Sequence, residues 1–247
     1  MSAFGSLAAR FFDATHDLAD DAALAWYATV FPKDGLLLDA MCGSGRLLVP
    51  WVRRGAKVHG VDASAPMLAV CEGHLAAAGA TTPLVRQDIT ALNLPFRYAG
   101  ALVAGGALQY LTDPAAVVAA LARLHAHLLT PGVLVVEFGI PPTSRQNLAA
   151  PLVEIETAQL ADGSRITRRS ETIWTPDARL ARAEQRYTHR RGTEQVGEEH
   201  ETVRSTWYTL EDAIALVASA GFAAEATDSM IDGDGATTFK VVARREG

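Results

Sequence analysis

The sequence predicts an α/β fold: a Rossmann-like, seven-stranded, mostly parallel sheet with helices on both faces, plus an antiparallel β insertion. Three observations predict it. From about residue 35, short apolar runs alternate with longer helical stretches, the order of βαβ units in a parallel sheet covered on both faces. After Pro141-Pro142 the texture changes to charged residues alternating with Ile, Trp and Tyr, as in Arg165-Ile166-Thr167-Arg168 and Glu184-Gln185-Arg186-Tyr187-Thr188, and this period of two marks strands with one wet face. At Thr209 the wound pattern resumes. The chain is therefore expected to divide into an N-terminal helical cap (1–34), a core (35–140 and 209–247) and an antiparallel insertion (141–208) acting as lid or oligomer contact.

Each element has a local reason. Gly35 to Met41 is a continuous apolar run, hence a buried strand, and Arg46 to Arg54 reads as a helix stopped by Gly55. Lys57 to Val61 is the second strand, with Asp62 at its end. Ser64 followed by Pro66 gives an N-cap and an early helical proline, opening a helix to Ala78. Strands follow at Leu84–Arg86 and Ala101–Ala104. Asp113-Pro114 starts a long Ala/Leu/Val helix to Leu129, and Pro131-Gly132 turns it into the strand Val133–Phe138. Thr209 and Asp212 pair as a capping box before a helix to Ala220, ended by Gly221. Ala223–Thr227 and Thr237–Ala243 close the sheet, separated by the loop Asp232-Gly233-Asp234-Gly235.

Composition narrows the function classes. With 49% apolar and 20% charged residues the chain can bury a large core and is not a disordered tail. The 22 basic and 28 acidic residues give a net charge of −6, which supplies no global field for nucleic acid or an anionic membrane. Cys42 and Cys71 are too few for a disulfide framework or a cysteine zinc site. Met1 to Thr15 lacks the order of a secretion signal, so the mature chain is expected to begin there, and Tyr98–Thr112, the best membrane candidate, is short, Gly-rich and broken by Gln109. A cytoplasmic protein is expected. His125 and His127 lie two apart on a helix and face different ways, and no zinc spacing occurs, so no metal is expected.

The informative stretch is Leu36-Leu37-Leu38-Asp39-Ala40-Met41-Cys42-Gly43-Ser44-Gly45-Arg46, followed by Asp62. A glycine pair at a strand-to-helix turn lets backbone approach a ligand, and the helix starting near Arg46 would offer N–H groups to an anion. Asp62, at the end of the next strand, can accept both hydroxyls of a ribose. An adenosine-containing ligand fits this set. A dinucleotide fingerprint would need a third glycine where Leu48 stands, which disfavours NAD and FAD.

These residues resemble the class I S-adenosylmethionine-dependent methyltransferases, and further matches extend the resemblance over nearly the whole chain: Val61-Asp62-Ala63-Ser64-Ala65-Pro66-Met67-Leu68, Gln87-Asp88-Ile89, and Ala104-Gly105-Gly106-Ala107-Leu108-Gln109-Tyr110-Leu111. By that resemblance S-adenosylmethionine is the methyl donor and S-adenosylhomocysteine the product. Gly43 and Gly45 border its methionine part, Asp62 holds the ribose, and Met67 packs on the adenine. Asp88 accepts from the adenine amino group beside the Ile89 N–H, and Gly105 lies next to the sulfonium. Asp39 orients the loop, while Cys42, Arg46, Ala63 and Gln109 complete the cofactor-binding candidates. The family commonly has glycine where this chain has Met41, which puts the first turn's geometry in question.

Methyl transfer is an in-line displacement on an activated donor, so alignment and water exclusion matter most and a base is optional. Tyr110 and His16 are the catalytic candidates. Nucleic-acid amino-methylating enzymes carry an Asn/Asp-Pro-Pro-aromatic motif after strand four; here that position reads Gly105-Gly106-Ala107-Leu108, so no nucleic-acid acceptor is expected. The insertion, leading through Glu198-Glu199-His200-Glu201-Thr202 into Trp207-Tyr208-Thr209, resembles that of the amino-sugar and glycine N-methyltransferases, in which it roofs a small-molecule acceptor and helps form dimers or larger oligomers. The expected activity is methylation of a small-molecule amine or hydroxyl. The alternatives are a catalytically silent S-adenosylmethionine-binding protein and an NAD-type oxidoreductase.

Overall fold

The computed structural model describes residues 4–231 and 235–246, with nothing said of the side chain of Asp228. Residues 232–234 of the expected glycine-aspartate loop, and the first residues of the N-terminal stretch, lie outside the described residues. The first helix, α1 (Ser6–Thr15), buries Ala8, Ala9 and Phe11 along one face, and α2 (Asp21–Val30) is capped by Asp20, whose side chain accepts from the Ala23 N–H.

The core alternates as the apolar pattern requires: β1 (Leu37–Ala40), α3 (Leu48–Arg53), β2 (Val58–Asp62), α4 (Ala65–Ala77), β3 (Leu84–Arg86), β4 (Tyr98–Val103), α5 (Pro114–His127) and β5 (Leu128–Ile140). All four residues of β1 are buried, as expected of a strand covered on both faces. Ser64 accepts from the Met67 N–H at 3.3 Å and Asp113 from the Ala115 N–H at 2.9 Å, each with a proline in the first turn. A short helix, α6 (Thr143–Gln146), leads to the antiparallel strands β6 (Leu152–Gln159), β7 (Arg165–Thr175), β8 (Leu180–Arg191) and β9 (Glu194–Thr206). Then come α7 (Leu210–Ala218), β10 (Ala223–Ile231) and β11 (Thr237–Arg245).

Seven strands form one sheet in the order β10-β11-β5-β4-β1-β2-β3, parallel except that β11 runs antiparallel to both neighbours. The other four form a separate antiparallel sheet, β6-β7-β8-β9. The strand expected at Ala101 begins at Tyr98 and the one expected to end at Thr227 runs to Ile231, and two further expectations shift. The strand expected at Val133 begins at Leu128, because its pairing with β4 skips from Leu128 to Val133 and the Pro131-Gly132 stretch bulges out without ending the strand. The helix expected from Arg46 begins at Leu48, residues 43–47 being turns.

The two sheets meet through α1 and through the side chain of Gln109. Phe11 and Ala8 pack on Ala158, Ile166 and Tyr187 of the small sheet. The N-terminal N–H groups of α1 find carboxylates on β9: Leu7 and Ala8 each donate to Glu199 at 3.1 Å, and Gly5 donates to Glu201. These bonds satisfy donors that a helix start leaves without partners, so β9 and α1 are fixed to each other. No described helix is long and apolar enough to cross a membrane.

Candidate functional site

A cavity of about 1020 Å³ opens at the C-terminal ends of β1, β2, β3 and β4, the place where open α/β sheets bind ligands. Of the candidate residues, Asp39, Cys42, Gly43, Arg46, Asp62, Ala63, Met67, Asp88, Ile89, Gly105 and Tyr110 line it. The turn after β1 is held from β2: Asp62 Oδ2 accepts from the Gly43 N–H at 2.9 Å, and Oδ1 from the Ser64 N–H at 2.8 Å. Burial raises the Asp62 carboxyl above its usual range, while the Ser64, Gly43 and Ala63 N–H groups pull it back.

The two glycines of the turn have different work. Gly43 has φ +54° with no atom within 4 Å of where a Cβ would stand, so that space belongs to the cavity. Gly45 has φ +83°, and a Cβ there would come within 2.5 Å of Cys71 Sγ. Gly45 is thus a packing glycine, outside the cavity wall. Met41 also stands in the left-handed region, at φ +63°. The turn keeps the geometry a glycine would favour while carrying a side chain there.

Asp39 is buried, and its carboxyl is pushed up to about 8, by burial first and then by the nearby charges of Asp62 and Glu137. Its one opposing influence is a hydrogen bond from the Leu48 backbone. This corrects the expectation of an anion site at a helix starting near Arg46: the protein's own carboxyl takes the Leu48 N–H, and Arg46 Nε donates to the Asp17 carbonyl at 2.8 Å. Asp88 accepts from the Thr90 N–H at 2.9 Å and from its hydroxyl at 2.7 Å, which hold its carboxyl low. The Cys42 thiol is pushed up by its hydrogen bond with Cys71 and by burial, unlike a nucleophilic cysteine.

A second cavity, of about 710 Å³, lies between β5 and the inner face of the small sheet. Ser170 and Thr172 of β7, Gln185 of β8, Ser205 of β9, Trp174 and Trp207 line it. It shares Gly105, Tyr110, Glu137, Val203 and Lys240 with the first cavity. Gln109 belongs to this wall and not to that of the first cavity. Its Nε2 donates to the Gly139 and Thr206 carbonyls at 2.8 and 2.7 Å, and its Oε1 accepts from the Gly139 N–H at 2.7 Å, so it ties β5 to β9.

Tyr110 sits at the junction, 38% exposed toward the cavities, its ring edge-on to Phe4. The surrounding protein pushes its hydroxyl up and Arg168 pulls it partly back. His16 is exposed at the end of α1, outside both walls, stacked on Phe12 with Nδ1 at 3.0 Å from the Phe12 carbonyl oxygen. Sequence reasoning missed Glu137, Tyr27 and Lys240. Glu137 Oε2 accepts from the Gly105 N–H at 2.7 Å, and Oε1 from the Tyr27 hydroxyl. The available signal was a carboxylate interrupting the apolar run Val135-Val136-Glu137-Phe138 at a strand's C-terminal end.

Residues 37–132 match the family model described as a methyltransferase domain. The chain thus carries a methyltransferase domain over these residues. A curated relative from Streptomyces fradiae, a dTDP-3-amino-3,6-dideoxy-alpha-D-glucopyranose N,N-dimethyltransferase, is 28% identical over 194 residues, covering 78% of this chain and 72% of its own. Among solved structures, the sugar N-methyltransferase KedS8 from Streptoalloteichus superposes with a TM-score of 0.69 at 24% identity, covering 87% of this chain and 82% of its own. CalS10 from Micromonospora echinaspora, an amino pentose methyltransferase solved with S-adenosylmethionine bound, gives 0.65 at 22% identity, covering 93% and 99%.

Proposed function

We propose that this methyltransferase methylates the amino nitrogen of a small, polar, sugar-like acceptor held in the second cavity. The observation that carries this reading is the continuity of the two cavities at Gly105, Tyr110 and Glu137, with hydroxyl and amide groups of the small sheet lining the far side. Such a wall matches a polyhydroxylated ligand, which needs closely spaced donors and acceptors. The amino-sugar activities named for the relatives support the same class.

In this reading Asp62 holds the ribose of S-adenosylmethionine, Met67 and Ile89 flank the adenine, Asp88 faces its amino group, and Gly43 and Gly105 give backbone room at the methionine end. The donor supplies an electrophilic methyl on a sulfonium. The chain's own residues align the acceptor and exclude water. The surrounding protein keeps the Tyr110 hydroxyl protonated, which makes it a hydrogen-bond donor to the acceptor. The insertion 141–208 is the acceptor roof, joined to the cap 1–34 through Glu199 and Glu201 and to the core through Gln109. Its outer face exposes Val153, Ile155 and Ile173, an apolar surface suited to a second copy in a homodimer.

Incubation with S-adenosylmethionine and dTDP-3-amino-3,6-dideoxy-α-D-glucopyranose, read by mass spectrometry, tests the reading. Methylation at nitrogen is expected. Methylation of a hydroxyl on that acceptor, or an unchanged mass, overturns it.

A further inference from the structure

Five residues form the wall common to both cavities, and among them Glu137 carries the one carboxylate. It stands at the C-terminal end of β5, and two bonds fix its orientation. The Gly105 N–H, from the loop after β4, donates to Oε2 at 2.7 Å, and the Tyr27 hydroxyl, from α2, donates to Oε1. Each carboxylate oxygen can accept more than one hydrogen bond, and the same side chain lines both cavities. Lys240 lies directly opposite Glu137 across the β5–β11 ladder, with its ammonium 4.6 Å from the centre of the Trp26 ring.

We propose that Glu137 recognises the acceptor's amino group and takes its proton, a role that rests on the amine reading above. An acceptor amine enters as an ammonium, whose nitrogen has no lone pair to offer. Its N–H bond breaks and the proton passes to a Glu137 carboxylate oxygen. The freed lone pair forms the new C–N bond while the donor's C–S bond breaks, leaving its electron pair on sulfur. The proton on Glu137 then leaves to water through the second cavity. Two nearby groups suit this task less well. Tyr110, also at the junction, holds its proton because its hydroxyl is pushed up, and Asp39, on the wall of the first cavity alone, is pushed up to about 8.

Glu137→Gln is a conservative probe. Its amide oxygen can still accept from the Gly105 N–H, while its NH2 can donate to the Tyr27 oxygen, so neither partner is stranded. The first readout needs no methyl donor: calorimetric binding of dTDP-3-amino-3,6-dideoxyglucose against its 3-hydroxy counterpart. Wild type should prefer the amine by ~10-fold or more, the strength of a charge-assisted hydrogen bond, and the variant should lose that preference. The second is the pH profile of turnover. Glu137→Gln should be slow at neutral pH and recover by ~10-fold per pH unit as the acceptor amine deprotonates on its own, which a purely structural defect would not produce. A Glu137→Gln variant with undiminished amine preference and turnover overturns the proposal while leaving the amine reading intact. A wild-type protein that methylates only hydroxyls overturns both.

Discussion

Gly43 and Gly45 are alike in sequence, and alanine at the two positions should fail in different ways. Both sit at positive φ, +54° and +83°, so each substitution costs about 1–2 kcal/mol in the left-handed region. At Gly45 the new Cβ would also stand 2.5 Å from Cys71 Sγ and 3.0 Å from Val49 Cγ2. Overpacking of a tight interior adds about 1–3 kcal/mol, for a total of about 2–5 kcal/mol. At Gly43 nothing lies within 4 Å, so the fold loses only the backbone preference while the methyl projects into the first cavity. Urea unfolding and calorimetric titration with S-adenosylmethionine, on both variants, separate the effects. Gly45→Ala should lose more stability, and Gly43→Ala should bind the donor at least ~10-fold more weakly, a loss of about 1.4 kcal/mol. Equal stabilities, or wild-type affinity in Gly43→Ala, would refute the assignment of packing to one glycine and ligand approach to the other.

Asp62→Asn turns one acceptor oxygen into a donor facing either the Gly43 or the Ser64 N–H; loss of a hydrogen bond to a charged group should weaken donor binding by about 1.5–3 kcal/mol, read by calorimetry. Asp39, with its folded value raised from 3.8 to about 8, binds a proton more tightly in the folded chain, so its contribution to stability is complete below pH 4 and lost as pH rises toward 8. The melting temperature of Asp39→Asn should therefore gain on wild type between pH 5 and 8, as scanned by calorimetry, and parallel curves would count against it. Gln109→Ala removes the side-chain partner of the half-buried Gly139 N–H and of the Gly139 and Thr206 carbonyls, at a cost of about 1–3 kcal/mol per group that no water reaches. It should lower the unfolding midpoint in urea.

Much of this fold is legible in the sequence because its signals are local. Ser64-Ala65-Pro66, Asp113-Pro114 and Thr209 each announce a helix within a few residues, and the side chains make the caps they imply. The switch from buried runs to period-two alternation separates the large sheet from the small one. What the sequence hides is set across distance. The contact of Glu137 with Gly105 joins the ends of β4 and β5, and the opposition of Glu137 to Lys240 depends on the register of β11, which no local pattern states. Gln109 follows Gly105 by four residues, yet its side chain turns to Gly139 and Thr206, away from the first cavity. Arg46 stands beside the glycine turn, but the helix starts two residues later and the Arg46 side chain turns to the Asp17 carbonyl.

The most direct test is a calorimetric titration of the purified protein with S-adenosylmethionine and, in parallel, with NAD. Binding of the first, weakened by Gly43→Ala and Asp62→Asn, and no binding of the second is the predicted result. Binding of NAD with no response to S-adenosylmethionine would contradict it.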